Sequence, residues 1–195
     1  MRRAALTVLT TLFLISTSHG GLIQGVRNRY RGVYTVEGSF TQTAIFPDGR
    51  RKVLKGHFWI KGDRSRWDYS PPDEQVVITK GNRVYIYDPF AGQIQEGRLS
   101  FSSVYRDVLV NPDRLRENFS LREEGRTLVL VPKQKGQVAR IVVRFGADYS
   151  IKSILVVDSM GNKSLITFGS LRYNVPINDS MFSIEGLLKG ERRSG

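Results

Sequence analysis

The sequence predicts a mainly β protein in which a long antiparallel sheet curls around a small helical cap. Short runs rich in β-branched and aromatic residues alternate apolar and polar side chains over most of the chain. Turn sequences separate these runs at intervals of about ten residues, which is typical of an antiparallel meander. Only two regions have helical spacing. They are too few to cover both faces of such a sheet, so we expect them to cap one face.

The first helical region opens the predicted domain. Leu22, Val26 and Tyr30 follow helical spacing, which predicts an amphipathic helix over residues 22–31. Roughly six strands are expected after it, separated by turn sequences such as PDGR and KGDR. Five of the runs in this region are VEGSFTQTAIF (36–46), VLKGHFWIKG (53–62), RSRWDYS (64–70), EQVVITKG (74–81) and RVYIYD (83–88).

The second helical region covers residues 100–119. Phe101, Val104, Val108 and Leu109 share one face of a short helix, which Ser100 or Ser102 can cap. Asn111 and Pro112 close this helix and open another, with proline at its first position. Four or five further strands are expected after it. Their runs are LREEGRTLVLVPK (121–133), QVARIVVRFG (137–146), SIKSILVVDSMGNKSLITFGSLRYN (150–174) and SMFSI (180–184).

The N-terminus has the three-part pattern of a secretory signal peptide. Two arginines precede an apolar run over residues 4–15, and Ser18 and Gly20 suit the −3 and −1 positions of a cut after Gly20. A cut two residues earlier fits equally well, and a buried N-terminal helix is the other interpretation. We therefore expect residues 1–20 to be removed, which leaves a single domain over residues 21–195 in the periplasm.

The net charge limits the partners that we expect, and the absence of cysteine limits the chemistry. The formal net charge is +12, and loss of Arg2 and Arg3 leaves +10. Such a charge favours anionic lipid, an acidic protein or nucleic acid, although it is also compatible with a merely soluble surface. A secreted protein rarely meets nucleic acid, so we do not expect that partner. The chain has no cysteine, which excludes disulfides, thiolate chemistry and a lipid-modified N-terminal cysteine.

No arrangement of residues predicts catalysis. His57 is the only histidine after the predicted cut, which leaves no second histidine or cysteine for a zinc site and no serine–histidine arrangement. Neither a phosphate-binding loop nor a GxSxG motif occurs. The carboxylate pairs Glu123–Glu124 and Asp73–Glu74 are expected in solvated turns. The sequence thus predicts no cofactor, no metal and no enzyme, although a hydrolase that uses two carboxylates remains an alternative.

The order of the aromatic motifs resembles one known family. The segments SFTQ (39–42), GHFWIK (56–61), RWDYSPPDEQ (66–75) and GNRVYIYDPF (81–90) are followed by LVLVPK, LRYN and SMFSI. In this order, from about Leu22 to Glu185, they resemble the LolA-type outer-membrane lipoprotein carriers, which are periplasmic chaperones. The resemblance implies an incomplete antiparallel β-barrel of about 11 strands covered by a small helical lid.

The resemblance also implies a function and partners. Members hold the acyl chains of lipoproteins in an apolar interior, receive them from an inner-membrane ABC transporter and pass them to an outer-membrane receptor. We expect the same partners here, and a monomer. A LolA-like carrier of free lipid or glycolipid, or a sensor of envelope stress, is the alternative.

Alternation along the strands identifies candidate cavity residues. The predicted cavity residues are Phe40, Phe58, Ile60, Trp67, Tyr69, Val84 and Ile86, with Val104, Val108 and Leu109 on the lid. A dry core made of the same residues is the alternative. Many family members have Arg-Pro where this chain has Gly62-Asp63, and the family's arginine is linked to cargo transfer. Arg64 or Arg66 is the candidate replacement.

Overall fold

The computed structural model describes residues 21–98, 104–110 and 112–188. The predicted signal peptide, and the predicted helix positions at Ser100, Phe101, Ser102 and Asn111, lie outside these residues. Four short helices are described: α1 (Leu22–Tyr30), α2 (Val104–Val110), α3 (Leu115–Asn118) and α4 (Ile184–Leu188). None of the helices within the described residues is long and apolar enough to cross a membrane.

Within the described residues, eleven strands form one antiparallel sheet, which confirms the predicted fold class. They are β1 (Thr35–Ile45), β2 (Arg51–Lys61), β3 (Arg64–Tyr69), β4 (Gln75–Lys80), β5 (Arg83–Asp88), β6 (Gln93–Arg98), β7 (Phe119–Glu124), β8 (Thr127–Pro132), β9 (Val138–Phe145), β10 (Ile151–Asp158) and β11 (Lys163–Tyr173). The strand order is β6-β5-β4-β3-β2-β1-β11-β10-β9-β8-β7. The sheet is therefore open, with β6 and β7 at its two edges.

The lid is the segment that joins these two edges along the chain. It comprises helix α2, a 3-10 turn over Pro112–Arg114 and helix α3, which leads directly into β7. Pro112 thus opens a 3-10 turn, and the α-helix that follows begins at Leu115. Because the lid starts after one edge strand and ends at the other, the chain itself spans the open side of the sheet.

One apolar cluster lies between the sheet, the lid and helix α1. We call the face of the sheet that carries this cluster the inner face, and the opposite face the outer face. Helix α1 buries Leu22, Val26 and Tyr30, as its spacing predicts. The backbone N–H of Leu22 donates to Oε2 of Glu123 on β7 at 2.7 Å. This carboxylate satisfies a free N–H group at the helix start and suits its positive dipole end.

The C-terminal segment differs from the prediction. The run SMFSI, predicted as a strand, forms a 3-10 turn over Asp179–Phe182 followed by helix α4. Phe182 and Leu187 are buried there. The side chain of Asn178 accepts a hydrogen bond from the backbone N–H of Ser180 and caps the turn. This local side-chain bond favours a turn over continued extended backbone, so the predicted strand is wrong.

Candidate functional site: an apolar inner face under a helical lid

The alternation of side chains along β2 and β3 places the large apolar groups on the inner face. Phe58 and Ile60 are fully buried, whereas His57 is exposed and Trp59 half-buried on the outer face. Phe58 is the direct cross-strand partner of Trp67 on β3. Tyr69 lies two residues further along the same face, and Phe40 of β1 is also buried in the cluster. The predicted side-chain directions of these residues are confirmed.

The inner-face aromatic rings contact one another directly. The rings of Phe58 and Trp67 stack with centroids 4.7 Å apart. Phe40 meets Trp67 and Tyr69 edge-on, with centroids 5.1 Å from each. Such offset and edge-to-face arrangements are favourable for aromatic quadrupoles. Phe40 also lies over Gly56, where a Cβ atom would come within 2.8 Å of its ring. A glycine at this position of β2 therefore makes room for the cluster.

Polar groups on the inner face are paired with one another. The indole Nε1 of Trp67 donates to Oγ of Ser65 at 3.1 Å, and Ser65 shares a hydrogen bond of 2.7 Å with Thr79. The hydroxyl of Tyr69 donates to Oε1 of Gln42 at 2.7 Å. Burial raises the pKa of Tyr69 to about 12. The face therefore combines a large apolar area with few, satisfied polar atoms.

The remaining predicted cavity residues lie on the same face towards β6. Val84 pairs with Thr79 and Ile86 with Val77, both of which point inward. Val84 is buried and Ile86 half-buried, but neither belongs to the main cluster. The structure thus groups Phe40, Phe58, Ile60, Trp67 and Tyr69 together. Val84 and Ile86 lie beyond them, nearer the open edge.

The lid supplies its apolar side chains to the same cluster. Val104, Val108 and Leu109 of α2 and Leu115 of α3 are almost completely buried in it. Three of these four were predicted from helical spacing. In this conformation lid side chains pack against the inner face that the sequence identified. Acyl-chain binding by any of these residues stays a prediction.

Half of the inner face was missed by the sequence analysis. Strands β8 to β11 contribute buried apolar residues to the same cluster, and helix α1 covers them. Phe168 of β11 makes an edge contact with Phe58, with centroids 5.5 Å apart. The alternation of apolar side chains in TLVLV and RIVVRF, which form β8 and β9, could have identified residues of this half. The residues are Leu128, Leu130, Ile141, Val143, Ile154, Ile166 and Phe168.

Arg106, which forms a buried ion pair within the lid, joins the lid to the β2–β3 turn. Arg106 and Asp107 of α2 pair at 3.3 Å, with side chains only 12% and 5% exposed. Nη1 of Arg106 also donates to the backbone oxygen of Asp63 at 3.2 Å. Gly62, the preceding turn residue, has φ of +56°, a conformation that glycine adopts without strain. An arginine on the lid therefore contacts the turn that contains Gly62 and Asp63.

Arg64 and Arg66 lie elsewhere. Both alternate with the inward residues of β3 and point to the outer face, where they hold the C-terminal segment. Arg64 pairs with Asp179 at 3.1 Å, and Nη1 of Arg66 donates to the backbone oxygen of Met181 at 3.1 Å. Arg66 also pairs with Asp68 at 2.6 Å. A role of either arginine in cargo transfer remains a prediction, and their contacts give them a structural role.

Comparison with known proteins identifies the family. The family model described as "Outer membrane lipoprotein carrier protein LolA" matches residues 31–185, well over half of the chain. The chain belongs to the LolA family. An outer-membrane lipoprotein carrier protein of Halorhodospira halophila is 28% identical over 194 residues, covering 94% of this chain and 91% of the relative. One of Chromohalobacter salexigens is 24% identical over 192 residues, covering 93% and 91%.

Solved structures share the LolA fold. A LolA superfamily protein of Nitrosomonas europaea superposes with a TM-score of 0.51 at 11% identity, covering 84% of this chain and 96% of that one. A DUF1329 family protein of Desulfovibrio piger gives a TM-score of 0.53 at 16% identity, covering 85% and 96%. These likenesses concern the fold alone. The LolA-family relatives, which are named as carrier proteins, support a lipoprotein carrier role.

Proposed function

We propose that this chain is a periplasmic chaperone that carries lipoproteins from the inner to the outer membrane. The observation that supports the proposal is a continuous apolar inner face under a helical lid, in a chain of the LolA family. In the carrier state, acyl chains lie against Phe40, Phe58, Ile60, Trp67 and Tyr69. The lid helices move away so that acyl chains replace Val104, Val108 and Leu109.

The energy of lipid burial explains why the inner face must be large. Burial of an acyl chain of ~16 carbons is worth roughly 12 kcal/mol at about 0.8 kcal/mol per CH₂. A carrier therefore has to offer an apolar surface comparable to the one its cargo leaves. Aromatic and branched aliphatic side chains supply it here, and the paired polar atoms of Tyr69 and Trp67 add no unsatisfied group.

The proposal includes two partners. The sequence carries no nucleotide-binding motif, so an inner-membrane ABC transporter of the lipoprotein-release type supplies the work of extraction. An outer-membrane receptor then takes the cargo. Export through the predicted signal peptide places residues 21–195 between these membranes. The positive net charge favours docking on acidic lipid or on an acidic partner.

A release assay tests the proposal. Purified protein spanning residues 21–195 is added to spheroplasts, and the supernatant is analysed for lipoproteins in a one-to-one complex with it. We expect release by the unmodified chain and loss of release with Phe58→Glu or Val104→Glu, because each places a charge on the inner face. The matched control is Val53→Glu, on the outer face of the same strand β2, where the side chain is 56% exposed. Circular dichroism of each variant establishes that it is folded.

The other outcomes distinguish the alternatives. Free lipid or glycolipid in the purified protein, without lipoprotein release, would favour the lipid-carrier alternative. Release that survives both inner-face substitutions in folded protein would contradict the proposed site. Neither release nor bound lipid would contradict the carrier function and leave only the fold in common with the family.

A further inference from the structure

The outermost strand β6 has one free edge. Among the described residues it pairs only with β5, so one row of its backbone N–H and C=O groups lacks a strand partner. The pairing with β5 is regular over all six residues, from Gln93 to Arg98, without a bulge. The strand contains neither proline nor lysine. It therefore lacks several of the features with which soluble proteins protect sheet edges.

The opposite edge, β7, is covered on its inner side. Phe119 is buried in the main cluster, Leu121 packs against it, and Glu123 binds the start of helix α1. No side chain of β6 belongs to that cluster in the described part of the chain. Within the described residues, the two edges of the open sheet thus differ, because side chains of β7 pack into the cluster and those of β6 do not.

An apolar patch lies beside the free edge on the outer face. Val76 of β4, Tyr87 of β5 and Ile94 of β6 are successive cross-strand partners and are each half-buried. Phe90, in the turn between β5 and β6, is 78% exposed. We call these four residues the edge patch. Aromatic and aliphatic groups that are at least partly accessible next to a sheet edge suit contact with alternate side chains of an added strand.

The inner side of β6 marks the end of the apolar face. Val84 and Ile86 on β5 are its last apolar side chains, and their partners on β6 are Gly97 and Gln95. Gln95 is exposed. Consider a molecule whose apolar end lies on the inner face and whose other end is a polar chain. If the polar chain runs from β5 towards β6, it passes Gln95 and then reaches the free edge.

We propose that the free edge of β6, with the edge patch, binds the extended polypeptide that follows the acylated end of the cargo, as an added strand. This inference rests on the proposed carrier function. Backbone hydrogen bonds to a sheet edge require an extended chain but little particular sequence. Such a mode suits a carrier whose cargoes share a lipid anchor and differ in sequence. The edge patch contributes contacts to every second side chain of the bound segment.

The test uses two synthetic lipopeptides and their acyl anchor alone. Both peptides have the same anchor and the same eight-residue sequence, and one is N-methylated at alternate residues so that it cannot pair with a strand. We expect the unmodified lipopeptide to bind the chain over residues 21–195 about tenfold more tightly than the methylated one, the effect of two net hydrogen bonds. It should also slow amide hydrogen exchange in β6.

A matched pair of variants isolates the edge patch. Phe90→Ser should weaken binding of the unmodified lipopeptide several-fold and leave binding of the anchor alone unchanged. Met160→Ser, in the β10–β11 turn, should change neither, although Met160 is 76% exposed. Equal affinities for the two lipopeptides would overturn the inference while leaving the carrier function intact. If the anchor alone fails to bind, the proposed function is itself contradicted, and the inference with it.

Discussion

Phe58 and Trp67 are direct cross-strand partners whose rings stack 4.7 Å apart at an interplanar angle of 17°. The pair lies at the centre of the inner face, where Phe40 meets both rings edge-on. Phe168 of β11, on the other side of β1, also makes an edge contact with Phe58. One side chain thus links strands on both sides of β1, so its loss should affect the whole cluster.

Truncation of Phe58 should destabilise the protein strongly. Phe58→Ala removes a fully buried ring and leaves a cavity, and we expect the free energy of unfolding to fall by about 3–5 kcal/mol. Phe90→Ala removes the same atoms from a solvent-exposed turn and should change it by less than about 0.5 kcal/mol. Urea unfolding followed by circular dichroism measures both. Similar losses for the two variants would contradict the central position of Phe58.

Local patterns predicted much of the sheet because side-chain direction in a strand depends only on alternation. The period of two in GHFWIK and RWDY predicted which side chains of β2 and β3 face inward. Alternation does not predict that β1 pairs with β11. This pairing places Phe168 in contact with Phe58. That contact joins residues more than a hundred positions apart, so alternation within one strand could not predict it.

Charged residues were harder to place than apolar ones. Arg64 and Arg66 were candidates because they follow the turn at Gly62, yet both face outward and hold the C-terminal segment. Arg106 was not singled out, because an arginine between apolar helical positions usually faces solvent. Its position depends on how the lid packs against the β2–β3 turn, where the oxygen of Asp63 accepts its hydrogen bond. This is a tertiary contact with no local signal.

Burial of Tyr69 should make the free energy of unfolding fall at alkaline pH. Its folded-state pKa of about 12 lies above the ordinary value of 10, because burial disfavours the phenolate. The unfolded chain therefore loses this proton first. The contribution of Tyr69 is complete below pH 10 and is lost as pH rises through about 12. In urea unfolding between pH 9 and 12, Tyr69→Phe should reduce the slope of the unfolding free energy against pH. An unchanged slope in Tyr69→Phe would count against the burial of its hydroxyl.

Asp179 should make the C-terminal segment sensitive to acid. A hydrogen bond from Lys61, with a further contribution from Arg64, holds the pKa of this carboxyl below its ordinary value. The contacts therefore stabilise the segment above pH 4 and are lost as pH falls through the lowered pKa. We expect NMR signals of residues 177–187 to change as pH falls through this lowered pKa, and at neutral pH in Asp179→Asn. Asp48 also has a lowered pKa but lies in the β1–β2 turn. Asp48→Asn should leave those signals unchanged, and an equal effect of both variants would contradict the Asp179 contact.

The proposed carrier function requires the lid to move away from the inner face, and a crosslink can test this by blocking the movement. Asp63 in the β2–β3 turn and Arg114 in the lid line the same open depression of about 280 Å³. The chain contains no cysteine, so Asp63→Cys and Arg114→Cys introduce the only thiols and keep the buried Arg106–Asp107 pair. A short bismaleimide should then hold the lid closed and abolish binding of an acyl anchor. A monofunctional maleimide on the same variant should leave binding unchanged.

A second crosslink controls for general stiffening of the sheet. The β1–β2 and β10–β11 turns are neighbours, since a Cβ on Gly161 would lie 3.9 Å from Pro47. A bismaleimide between Asp48→Cys and Met160→Cys should therefore form and leave acyl binding intact. If the lid crosslink also leaves binding intact, acyl chains do not replace the lid side chains. Entry past β6 to Val84 and Ile86 would then be the route that remains, because that end of the inner face lies outside the lid-packed cluster.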